Sequence, residues 1–262
     1  MTVTARADAI VAALELPTSS RVDQRVPKKM LVEHGAPTTA DKRLLTDGIE
    51  EIQWLAALKP STVAVPEYSD DVREYLEVAV LRVEVRGSAG GQSPKSFNIS
   101  RLAELVHRAV PYPVLLILAA PHCVTISMAH KRAAQNEAGK VVLDGEVTSV
   151  TVDPTQTPED AFFRALALDR QPHANLMALY QGWMDCLIAA QAARITGAFD
   201  VPDEPGKSAA RRTALRACER LEQEAARLRA LAAKERQIAK QVDLNLALKR
   251  VQAALAAARE QL

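Results

Sequence analysis

The chain has 262 residues, 48% hydrophobic and 25% charged, so it holds enough apolar material for a packed core and is not an intrinsically disordered polymer. Aromatic residues make up only 4%, which argues against a base-stacking platform for single-stranded nucleic acid. The net charge of +1 hides a polarity. From Gly206 to Leu262 there are 13 Lys and Arg against 6 Asp and Glu, a net +7, and the preceding residues carry 20 against 26, a net −6.

Taken in order, Thr4 to Glu15 reads as a short helix ended by Pro17. The stretch R-V-D-Q-R-V-P-K-K-M then reads as a loop into a brief helical turn, with Arg25, Lys28 and Lys29 as a basic cluster. Such a cluster is first a solvated surface, and its sharper reading is a phosphate contact. A long helix is expected from Thr39 to Leu58, because Leu44, Leu45, Ile49, Ile52 and Leu55-Ala56 recur at helical spacing. Thr38 or Thr39 caps it, and Lys59-Pro60 ends it. Thr62 to Val65 then reads as a strand, and Val72 to Arg86 as a longer one. The apolar set of the longer strand changes parity at Val80-Leu81, which signals a bulge or a stretch buried on both faces. Gly87 to Pro94 reads as a loop, and Asn98 or Ser100 caps a helix running to about Arg108.

Ala109 to Arg132 holds two apolar, β-branched runs, Val114 to Ala120 and Cys123 to Ala129, either side of Pro121-His122. That pattern predicts an antiparallel hairpin whose first strand is central and covered on both faces. Val141 to Val152 reads as a further hairpin turning at Asp144-Gly145. Beyond Thr157-Pro158 the pattern is helical throughout. A helix from Ala174 to Thr196 presents a broad apolar face, and Gly197 to Gly206 is a linker. Lys207 to Leu262 contains no Gly or Pro and reads as one long basic helix of roughly 80 Å. Leu221, Leu228 and Val242, then Leu248, Val251 and Leu255, form a coiled-coil-like stripe that changes phase near Asp243.

The expected fold class is therefore α+β. A mostly antiparallel sheet of about five strands with helices packed on it forms a body over residues 1–156. A helical connector over 157–205 leads to a C-terminal arm over 206–262 with coiled-coil character. The stripe on the arm points to a homo-oligomer or to docking on another protein. The three cysteines, Cys123, Cys186 and Cys218, are dispersed without a C-x-x-C pair, so no metal site is expected and a reduced, cytoplasmic setting is. The start lacks the apolar core of a signal peptide, and the helix near Asn175 is too interrupted by polar residues to cross a bilayer.

Catalytic signatures are sparse. No Walker A loop, G-x-G-x-x-G or G-x-S-x-G occurs, and His122, His130 and His173 lie near no usable nucleophile. A metal-dependent nuclease would need converging carboxylates, for which Asp47, Glu77 and Glu84 are the candidates. Glu84-Val85-Arg86, however, places Arg where that chemistry wants Lys. His130-Lys131-Arg132 at a strand end is a further candidate phosphate contact, with a solvated strand end as the plain alternative. No cofactor is implied.

Four stretches in order, R-V-P-K-K, I-E-E-I-Q-W-L-A-A-L-K-P-S-T, A-V-P-Y-P-V-L-L-I-L and K-E-R-Q-I-A-K-Q-V-D-L-N, resemble a bacterial family, domain of unknown function 4391. The Gly87 to Ser96 loop looks like an insertion relative to that pattern. The resemblance implies genomic company with helicases and site-specific DNA methyltransferases in restriction or phage-defence loci. It therefore implies an accessory, non-catalytic subunit acting through protein–protein and possibly DNA contacts, with a helicase or methyltransferase as partner. The alternative is a nuclease of such a system. No catalytic residue carries over.

Overall fold

The computed structural model describes residues 2–86, 98–135, 137, 139–152, 159–202 and 204–262. Two compact units divide it, Met1–Leu187 and Ile188–Leu262. The first is α+β. Its main sheet has six strands in the order β1-β2-β5-β6-β7-β10. These are β1 (Arg21–Arg25), β2 (Ile49–Leu58), β5 (Val78–Val85), β6 (Val114–Ala120), β7 (Cys123–Met128) and β10 (Thr148–Val152). The β5–β6 pair is parallel and the others are antiparallel. Two small ribbons accompany it, β3 (Tyr68–Ser69) with β4 (Glu74–Tyr75), and β8 (Lys131–Ala133) with β9 (Val141–Leu143).

The central hairpin forms as the apolar runs require. Ala120 pairs with Cys123 around Pro121-His122, and all seven residues of β6 are buried. Successive side chains of a strand point to opposite faces. Val114, Leu116, Leu118 and Ala120 accordingly join one core with α2 (Lys28–Gly35), α3 (Thr39–Gly48) and α5 (Ile99–Ala109). On β5 the residues of that core are Ala79, Leu81, Val83 and Val85, so Val80 and Arg82 point the other way. There Arg82 pairs with Asp8 of α1 (Val3–Ala13) at 2.6 Å, and α1 also packs on β6, β7 and α6 (Glu159–Ala165). The sheet thus has helices on both faces.

Helix α5 makes the crossover that two parallel neighbours need. Asn98 caps it, accepting from Arg101 N–H at 2.9 Å. Thr38 caps α3 in the same way, accepting from Asp41 N–H at 3.1 Å. Of the two readings of the parity change in β5, burial on both faces is the one that holds, and the inserted residue sits on the neighbouring β2. Val78 to Leu81 are buried on both faces, and opposite them the register slips between Trp54 and Ala56 of β2.

Four local expectations are corrected. The helix from Thr39 stops at Gly48, and Ile49–Leu58 is strand β2. Irregularities at Ile49/Glu51 and Trp54/Ala56 each insert a residue, so Ile49, Ile52 and Leu55 are buried at a spacing of three that imitates a helix. Arg21–Arg25, read as loop, is a polar edge strand. Thr62 to Val65 is not a strand: Pro60–Val63 is a single helical turn, α4, with Pro60 opening it and Thr62 Oγ1 accepting from Lys59 N–H. Val141 to Val152 is not one hairpin, because β9 pairs with β8 while β10 pairs with β7. The readings placed on Gly87 to Ser96 and on Thr157-Pro158 lie outside the described residues.

Helix α7 (Leu176–Thr196) begins in the first unit. The second unit contains α8 (Pro205–Lys234) and α9 (Ile238–Arg259), which pack on each other. The single long helix is therefore a helical hairpin. Its antiparallel sense follows from Arg211 Nε donating to Leu262 C=O at 2.9 Å and from the Arg259–Glu222 ion pair at 2.8 Å. The break needs no Gly or Pro. Glu235 is extended, and its carboxylate accepts from the N–H groups of Arg236 and Gln237, both at 2.8 Å, which holds the turn ahead of α9. No helix among the described residues is long and apolar enough to cross a membrane.

Close approach of α2 to α5 depends on Gly35. A Cβ there would lie 2.6 Å from Leu105 O and 2.7 Å from Ala109 Cβ. Gly35→Ala is expected to destabilise the fold by about 1–3 kcal/mol through overpacking, read as a lower urea midpoint; an unchanged midpoint would mean the two helices part freely.

Candidate functional site

A groove of about 1060 Å³ opens in the first unit. Its walls are the end of α2, one side of α5, and the β8–β9 ribbon with the loop that follows it. Two buried polar side chains, His107 and Lys131, lie along it.

Lys131 comes from β8 and is 3% exposed. Its ammonium donates to the carbonyls of His107 and Val110, at the C-terminal end of α5. Those carbonyls have no intrahelical partner, and a cation there also meets the negative end of the helix dipole. Burial pulls the Lys131 pKa down from 10.5 to about 7. His107 is wholly buried on the face of α5 that meets the sheet, with Nε2 at 2.9 Å from Ser127 Oγ of β7. Its Nδ1 has no hydrogen-bond partner. Burial, and secondarily the charge of Lys131, hold its pKa down at about 3, so the ring is neutral at physiological pH.

An ion-pair chain runs along the rim. Arg101 donates to both carboxylate oxygens of Asp41, each at 2.9 Å, and to Glu104 at 2.8 Å, while Arg108 reaches Glu104 at 2.7 Å. Asp41 is 6% exposed, and its bonds from Arg101 and Thr38 hold its pKa down at about 2. This chain ties α3 to α5 and leaves Arg101 strongly neutralised.

The residues singled out in the sequence fall into separate places. Asp47, Glu77 and Glu84 do not converge. Glu77 and Glu84 stand at opposite ends of β5, roughly 23 Å apart at about 3.3 Å per residue. Glu77 pairs with Lys59 at 2.9 Å and Glu84 with Arg82 at 2.6 Å. Among the described residues no group of three His, Cys, Asp or Glu could hold a metal ion. In the first basic cluster, Lys28 donates to Ile49 C=O, Lys29 pairs with Glu33 at 3.5 Å, and Arg25 stays largely exposed beside Glu51.

His130, Lys131 and Arg132 point apart. His130 Nε2 donates to Gln181 Oε1 at 2.8 Å, since the Gln181 amide N–H₂ is committed to Asp185. That leaves His130 Nδ1 to accept from the Tyr75 hydroxyl. Arg132 lies 3.9 Å from Asp144, which Arg73 already holds. On the hairpin, Leu228 is buried, Leu221, Leu248, Val251 and Leu255 are half-buried, and Val242 is 51% exposed. Most of the expected oligomer stripe is thus covered within the second unit. His107 was not among the candidates, although its spacing from Leu102, Ala103 and Val106 puts it on the buried face of α5.

The chain matches the family model "Domain of unknown function (DUF4391)" over residues 14–255. It belongs to that family. No curated protein matches it, and neither does any solved structure. In this DUF4391 chain the match spans the sheet, the groove and most of the helical hairpin.

Both buried bases bind fewer protons in the folded chain than in the unfolded one. Lys131 lowers its pKa from 10.5 to about 7, so its contribution to stability rises with pH between those values. His107 lowers its pKa from 6.5 to about 3, so stability is lost as pH falls through that window. Thermal melts from pH 4 to 10 should climb in both windows, and Lys131→Met should flatten the climb above pH 7. Identical slopes for the two proteins would remove Lys131 as the cause.

Proposed function

We propose that this chain is an accessory, non-catalytic subunit of a bacterial restriction or phage-defence system, and that it works by docking through its C-terminal helical hairpin. One observation carries the docking role. Ile238, Val242 and Leu246 are 78%, 51% and 49% exposed and follow one another at four-residue spacing along one face of α9. The half-buried Leu244, Leu248, Val251 and Leu255 lie on the opposite side of that helix. A stripe of this kind left wet forgoes about 25 cal/mol for each Å² that a partner could cover. Self-association is the reading we favour, with α9 of two copies packing in coiled-coil fashion. A helicase or DNA methyltransferase of the same system is the other occupant. The defence setting rests on the genomic company that the resemblance to the family implies.

Light scattering on the full chain should give a dimer, and Ile238→Asp with Val242→Asp should give a monomer of unchanged helicity. A full-length monomer overturns self-association and leaves the stripe to a different protein. Incubation with plasmid DNA and Mg²⁺ or Mn²⁺ should leave the DNA intact; cleavage abolished by Glu77→Ala would overturn the non-catalytic reading.

The charge of residues 206–262, a net +7, favours DNA contact as a second reading. Binding carried by phosphate contacts weakens steeply with salt. Gel shifts on duplex DNA should therefore fade between low and physiological salt, and no shift at low salt would assign the basic surface to protein alone.

A further inference from the structure

We infer that the outer edge of β9 is a docking site for a single extended peptide segment of a partner protein, apolar at alternate positions. Two backbone bonds establish which groups on that edge are free. Asp144 N–H donates to His130 C=O, and Ala134 N–H to Lys140 C=O, both at 2.8 Å. Bonded rungs of an antiparallel ladder recur at every second residue. The Arg132–Val142 pair midway between them is therefore also a bonded rung. Val141 and Leu143 belong to the alternate pairs, so they turn their N–H and C=O groups away from β8. Among the described residues, no strand pairs with β9 on that side.

An open strand edge is a template for another strand, and proteins ordinarily blunt it with charge, proline or a covering element. The sequence of β9, V-V-L, has none of the first two. Val141 and Leu143 line the groove instead, with Val147 and Ala36 as further apolar wall. The walls of that groove decide the occupant. A flat edge would admit the edge of a second folded copy. A recess walled by α5 and the end of α2 admits one strand, whose backbone would sit about 4.8 Å from β9. Backbone rungs supply affinity in this mode, and pockets for alternate side chains supply selectivity. The site lies within the first unit and does not depend on the helical hairpin.

The test is selection of phage-displayed random seven-residue peptides on the immobilised full chain, followed by fluorescence anisotropy with the synthetic peptides recovered. Peptides with alternating apolar residues should be enriched. N-methylation of alternate peptide amides should weaken them at least tenfold, as should Leu143→Pro, which removes an outward N–H and spares the Arg132–Val142 rung. Because that proline could distort the ribbon, hydrogen exchange on the unaltered chain provides a second reading. The amides of Val141 and Leu143 should exchange fast in the free protein and slowly once the peptide is added. Failure to enrich any peptide, binding indifferent to N-methylation, or amides already protected in the free monomer each overturn the proposal. Protection that appears only with rising protein concentration would replace the peptide with a second copy.

Discussion

Burial of β6 on both faces is the constraint from which the rest of the first unit follows. Seven consecutive buried residues leave the strand no wet side, so its even-numbered positions need α2, α3 and α5, and its odd-numbered ones need α1 and its neighbours. A one-residue slip would exchange the two sets, which makes the register strongly specified. The strand has a parallel partner on one side and an antiparallel one on the other. The parallel pairing demands the α5 crossover, and the crossover brings the C-terminal end of α5 to Lys131. Removing an ammonium from water costs several kcal/mol. Two carbonyls that would otherwise be orphaned offset part of that cost by accepting from it.

Much of this architecture is legible in the sequence. The central hairpin, the burial of Val78 to Leu81 on both faces and the caps at Thr38 and Asn98 all follow from local rules, and the structure has them. What misleads is irregularity that keeps a rule while changing its period. Two inserted residues in β2 give Ile49, Ile52 and Leu55 a helical rhythm. Asp144-Gly145 carries a turn signal, and Gly145 does take a positive φ of 88°, yet the strands on either side of it find different partners. Pairing of that kind is a tertiary choice that no short window contains. The site is less legible than the fold. Lys131 is visible as a cation at a strand end, but its burial depends on where α5 finishes. His107 sits in an apolar helix face that periodicity alone assigns to the core.

The hairpin obeys a different balance. The break at Glu235 has no glycine or proline to announce it; the clue is a charged residue within an apolar stripe and the phase change that follows. None of α9 is fully buried. In proteins most helical stability comes from the packing of one face, and α9 draws its share from a half-buried seam. Its far side still carries Ile238 and Val242 in the open.

Helix α1 carries one further consequence, which concerns the order in which the chain is made. Its contacts on β6, β7 and α6 lie about 100 to 150 residues downstream, and Leu168 N–H donates to Leu14 C=O at 3.0 Å. Helix α1 therefore leaves the ribosome well before the surfaces it packs on and is among the last elements to find its place. At about 5–20 residues per second, Ile10 and Leu14 wait roughly five to thirty seconds for the surfaces that cover them. During that interval the segment is an exposed apolar ligand, open to chaperones and to neighbouring nascent chains; the β6–β7 hairpin begins to cover it and the α6 to Leu168 stretch completes the cover.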